Sequence, residues 1–103
     1  MSKLKIGNKE FEVDKFCMND IIVIDEKVGD ITKLGSEEKL RDKIKNIRYV
    51  IWYALQKKDK NITEEEVGEL INVSAMAKIT EDFFKAVDII ATNPTVPLKI
   101  SKK

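Results

Sequence analysis

Residues 47–71 constrain this chain more tightly than any other stretch. Ile47 to Leu55 is an apolar run carrying Tyr49, Trp52 and Tyr53, and a polar stretch with Lys57, Lys58, Asp59 and Asn61 follows. Thr63 then stands three residues before Glu66, the spacing of a capping box at a helix start. Ile62 precedes the cap and Val67 occupies the fourth helical position, so the two can pack as a hydrophobic staple. Glu64, Glu65 and Glu66 fill the first turn, where the helix dipole favours negative charge. The segment reads as a helix, a short turn and a second helix. Its residues are caps and core positions, not chemistry.

The rest of the chain fits around this hairpin of helices. At 103 residues it is one domain with a modest core. Hydrophobic residues make up 43% and charged residues 36%, the balance of a globular domain rather than a disordered one. Leu4, Ile6, Phe11 and Val13 alternate with charged residues around Gly7-Asn8-Lys9-Glu10, which predicts a β-hairpin with one apolar face. Asn19-Asp20 is a candidate cap for a short helix through Lys27, closed by Gly29. The β-branched run Ile21 to Ile24 leaves a strand open there, while the spacing of Ile21, Ile24 and Val28 favours the helix. Residues 31–35 read as a loop.

Ser36 is the expected cap of a long helix with Glu37 and Glu38 in its first turn. Leu40, Ile44, Ile47, Ile51, Ala54 and Leu55 form its apolar stripe, and Lys57 and Lys58 close it. The next helix runs from Glu64 to about Val73, with Gly68 placed for a close crossing. Ser74 is a candidate cap for the last helix, in which Met76, Ile79, Phe83, Val87 and Ile90 share a face. Asn93-Pro94 stops it. The expected fold is therefore mainly α, in the α+β class: an N-terminal β-hairpin followed by a bundle of about four helices. The domain spans residues 1–93, and residues 94–103 form a flexible basic tail containing Pro97.

Composition narrows the function classes. Nineteen basic residues face 18 acidic ones, without the basic excess usual in a nucleic-acid binder. The acidic second helix of the hairpin would repel phosphate, although the helix–turn–helix layout keeps a small nucleic-acid-binding regulator as the alternative reading. The chain contains no histidine, the commonest general base and metal ligand. Cys17 is the only cysteine, which fits a cytosolic setting and a half-buried structural thiol. No apolar run approaches the roughly 20 residues of a membrane span. No catalytic group, metal site or cofactor is expected.

The surplus aromatics carry the positive signal. Rotation by about 100° per residue puts Trp52 on the flank of the long helix and Tyr49 and Tyr53 on its far side. Phe84 follows Phe83, and adjacent helical residues do not both face one small core. Tyr49, Trp52, Tyr53 and Phe84 are the candidate partner-binding residues, because exposed aromatics are enriched at interfaces. Covering by the hairpin or the last helix is the alternative, and self-association is a second use for such a surface.

The apolar helix Ile47-Arg48-Tyr49-Val50-Ile51-Trp52-Tyr53-Ala54-Leu55, followed by Asp59-Lys60-Asn61-Ile62-Thr63-Glu64-Glu65-Glu66-Val67-Gly68-Glu69-Leu70-Ile71, resembles the small tail assembly chaperones of long-tailed bacteriophages and prophages. Members often pair an aromatic-Ala-Leu helix end with a Thr-x-Glu-Glu-Val-Gly start. The resemblance covers most of the chain in layout and about 25 residues in sequence. It implies a non-enzymatic protein that coats the long tape measure protein in the bacterial host's cytoplasm. The client stays soluble until the tail tube protein polymerises around it, and the chaperone is not retained in the virion. The tape measure protein is the implied partner, and the tail tube protein a further one. Many such genes carry a frameshift site near their end, and codons for Ser101-Lys102-Lys103 can contain a suitable slippery heptamer.

Overall fold

Strand β1 (Ser2–Ile6) pairs antiparallel with β2 (Lys9–Val13), Leu4 opposite Phe11 and Ile6 opposite Lys9, in the computed structural model, which describes residues 2–88. The turn between them is only Gly7-Asn8, so Lys9 and Glu10 belong to β2 rather than to a loop. Gly7 sits at φ 62° in the first central position, as a type II′ hairpin turn requires. The apolar face is the one expected: Leu4, Ile6 and Val13 are buried and Phe11 is half-buried.

Helix α1 (Met18–Val28) settles the Ile21–Ile24 run as helical, with Ile24 buried. Its N-cap is Cys17, earlier than Asn19-Asp20. Asp20 instead occupies the third helical position and reaches back to accept the Cys17 N–H at 2.8 Å. The Cys17 side chain is exposed, not half-buried. Gly29, at φ 89°, closes the helix. The expected loop then holds a 3₁₀ turn, Ile31–Lys33, braced by the Asp30 carboxylate, which accepts from the Thr32 N–H at 2.9 Å.

Helix α2 (Leu40–Gln56) begins later than Ser36 suggests. The Ser36 hydroxyl donates to the Lys33 carbonyl at 2.6 Å and so leaves no cap for a helix. Glu37 is likewise taken up by the loop, accepting from the Gly35 N–H and the Asn46 amide. The stripe Ile47, Ile51, Ala54 and Leu55 is buried as expected, and Val50 joins it. Leu40 and Ile44, in the first half of the helix, are not fully covered.

Helix α3 (Glu64–Leu70) has the expected capping box: Thr63 Oγ1 accepts the Glu66 N–H and Glu66 Oε1 accepts the Thr63 N–H, both at 3.1 Å. It ends three residues before Val73, which opens a second 3₁₀ turn, Val73–Ala75, containing Ser74. Helix α4 (Met76–Ala86) follows with Ala75 at its N-cap, so Ser74 does not cap it. It ends at Ala86, and Asp88 takes φ 64° just after the final helical turn; Ile90, expected on the same face, lies outside the described residues. Asn93-Pro94 and the tail 94–103 lie outside the described residues.

The architecture is the expected one, a two-stranded hairpin followed by four helices. One core gathers residues from both strands and all four helices. Helix α2 packs on β2 and α3, and α4 packs along β1. Gly68 permits the α2–α3 crossing, since a Cβ there would stand 3.1 Å from the Arg48 side chain. The α3 cap is an isolated, exposed device. Thr63→Ala is therefore expected to lower the unfolding free energy by about 1 kcal/mol in a urea titration, without changing the slope.

Candidate partner-binding surfaces

The aromatic residues singled out in the sequence are mostly fasteners within the fold. Tyr49, Trp52 and Tyr53 lie half-buried against the core. Tyr49 stacks with Tyr53 at 6.4 Å between ring centroids and packs tilted on Trp52 at 5.6 Å. The Trp52 indole donates to the Ile62 carbonyl at 2.9 Å, tying the inter-helix turn to α2. Phe84 is buried together with Phe83. Both fit because the buried arc of α4, with Ile79, Phe83, Phe84, Ala86 and Val87, spans about 160° of the helix rather than a narrow stripe. Phe16, which sequence patterning does not single out, wedges edge-on between Tyr53 and Phe83 at 5.9 and 5.8 Å. Its N–H donates to the Val87 carbonyl.

Tyr53 has a further role. Its hydroxyl donates at 2.7 Å to Asp20, a carboxylate only 4% exposed. Lys57 donates to both carboxylate oxygens, at 2.8 and 3.0 Å, and the Cys17 N–H completes the set. Burial alone would raise the Asp20 pKa. The Lys57 ammonium, the Cys17 amide and the Tyr53 hydroxyl outweigh it and hold the group at about 2. Burial and the neighbouring Asp20 push the Tyr53 phenol up to about 12. These contacts lock α1 to the C-terminal half of α2, and they spend the polar atoms that a partner would otherwise meet.

Open apolar surface lies elsewhere. A shallow recess of about 80 Å³ is lined by Ile44, Ile47 and Arg48 of α2, Val67 and Gly68 of α3, and Ile71, Val73 and Met76 beyond it. Leu40, one turn before Ile44 on the same face of α2, extends this wall and is 57% exposed. Val73 on the opposite rim is 61% exposed. The Arg48 Nε atom is buried without a hydrogen-bond partner, and the nearest acid, Glu64 Oε1, is 3.8 Å away. A second apolar exposure is on α1, where Met18 and Ile22 are one turn apart and Val23 stands on a separate flank.

Sequence patterning assigned Leu40 and Ile44 to the core stripe and Val73 to α3, so it missed the trough. The available signal was length: α2 is about 25 Å long and α3 about 10 Å at 1.5 Å per residue, so α3 cannot cover its neighbour. Among the described residues, no helix is long and apolar enough to cross a membrane, and no cluster of three or more Cys, Asp or Glu could hold a metal. No family model, curated protein or solved structure matches this chain.

The polar hub generates two measurable consequences. The Asp20 pKa is lower folded than unfolded, so its stabilisation is complete above about pH 4 and is lost as pH falls toward 2. About 2 kcal/mol of acid-labile stability is expected from it, and thermal melts between pH 2 and 6 should show a component absent in Asp20→Asn. Tyr53→Phe, which keeps the ring and removes the bond to the carboxylate, is expected to cost about 1.5–3 kcal/mol in chemical denaturation.

Proposed function

We propose that this protein is a phage tail assembly chaperone, a non-enzymatic protein that binds the tape measure protein and keeps it soluble during tail assembly. The observation that carries this reading is the apolar trough at the N-terminal half of α2, where Leu40 and Val73 remain exposed beside an apolar recess. A groove of that kind shields one face of an amphipathic helix, and a tape measure protein is a long series of such helices. The resemblance of residues 47–71 to the chaperone family supports the same reading.

In this proposal the protein acts in the host bacterial cytoplasm and is absent from the finished virion. The tail tube protein is a further partner at the handover step. The alternative, a nucleic-acid-binding regulator, is less favoured by the hairpin itself. Helix α3 is seven residues long, and Glu64, Glu65, Glu66 and Glu69 give it a charge that opposes phosphate.

Co-expression tests the proposal. The tape measure protein from the same genome, expressed alone, is expected in the insoluble fraction. Expressed with this protein, it should appear in a soluble complex on gel filtration. A tape measure protein that stays insoluble, or that elutes separately, would remove the chaperone reading.

A further inference from the structure

The trough also carries information about its occupant. From Leu40 to Arg48, α2 bears four basic residues, Arg41, Lys43, Lys45 and Arg48, with Lys39 at its N-cap, against one acidic residue, Asp42. At 100° per residue, Arg41, Lys45 and Arg48 flank the Leu40–Ile44 stripe on one side and Lys43 on the other. The apolar wall is thus edged by cations along both sides of its open half. The Arg48 Nε itself is buried, with Glu64 Oε1 3.8 Å away. The other wall, α3, carries Glu64, Glu65 and Glu66 in its first turn and Glu69 beyond, and Glu64 already faces Arg48, so the unopposed charge of the trough is the basic edge of α2 before Arg48.

We infer that the trough seats one amphipathic client helix whose apolar edge is flanked by acidic residues. This deepens the client-binding reading above and rests on it. The basic edges select against the chain's own segment beyond Asp88, which carries Lys99, Lys102 and Lys103 and no acidic residue. Like charges across a contact disfavour a partner, and opposite charges speed and orient its docking.

Two synthetic helical peptides test the inference on the full chain. Both carry the same leucine stripe at i, i+3/i+4 and i+7. One is flanked by glutamates and the other by lysines. Fluorescence anisotropy at low salt is expected to show the glutamate peptide binding about tenfold tighter, with the margin shrinking at high salt. Leu40→Asp and Val73→Asp change exposed side chains and should abolish binding while circular dichroism stays unchanged. Arg41→Glu with Lys45→Glu should reverse the preference.

Equal affinity for the two peptides, failure of both to bind, or binding that survives Leu40→Asp and Val73→Asp would overturn it. A concentration-dependent dimer dissolved by Val73→Asp would assign the trough to a second copy instead. A Leu98→Asp variant that binds the glutamate peptide more tightly would assign it to the chain's own C-terminal segment. Failure of the peptide test while the tape measure protein still co-purifies would sink this occupant and leave the chaperone reading standing. Selective peptide binding without tape measure solubilisation would do the reverse.

Discussion

A buried carboxylate organises this domain. Asp20 enters the interior as a charge, which is tolerable only with full compensation, and it receives the Cys17 N–H, the Tyr53 hydroxyl and the Lys57 ammonium. Each partner comes from a defined place: the start of α1, the last turns of α2, and the residue just after them. Satisfying one charge therefore fixes α1 across the C-terminal half of α2. Phe16, one residue before the α1 cap, is carried with it into the gap between Tyr53 and Phe83. The hairpin just before it in the chain packs through β1 on α4 and through β2 on α2.

The consequence appears at the opposite end of α2. With α1 committed to the C-terminal half, the N-terminal half depends on α3 and the turn after it. Helix α3 stops at Leu70, and the chain needs the Val73–Ala75 turn to redirect into α4. Three wall residues of the trough, Ile71, Val73 and Met76, belong to this change of direction. The open apolar surface thus follows from how the short elements are shared out along one long helix, and it coincides with the most basic part of that helix.

Much of this architecture is legible in the sequence, because hairpin alternation, the Thr63–Glu66 box and the helical stripe are local patterns. What is not legible depends on competition between distant groups. Ser36 looks like a cap, yet its hydroxyl is taken by the Lys33 carbonyl and α2 starts at Leu40. Asp20 looks like a surface cap among isoleucines, yet residues 33 and 37 positions later bury it. Phe84 looks surplus to one core, yet α4 buries a wide arc. Tyr49, Trp52 and Tyr53 were legible as lying off the main stripe, but their partners in α1 and in the turn at Ile62 are tertiary facts. The trough was hidden for the same reason: an apolar stripe shows which face of α2 turns inward, not how far its neighbours extend.

Hydrogen–deuterium exchange on the full chain, with and without the proposed tape measure client, decides whether the trough is the docking face. Local opening at partly covered helix ends is fast relative to the core, and an occupant suppresses it. Added protection is expected only at residues 40–48 and 68–76, the two walls of the trough. Protection centred on residues 18–23, or on residues 49–53 with the trough unchanged, would contradict it.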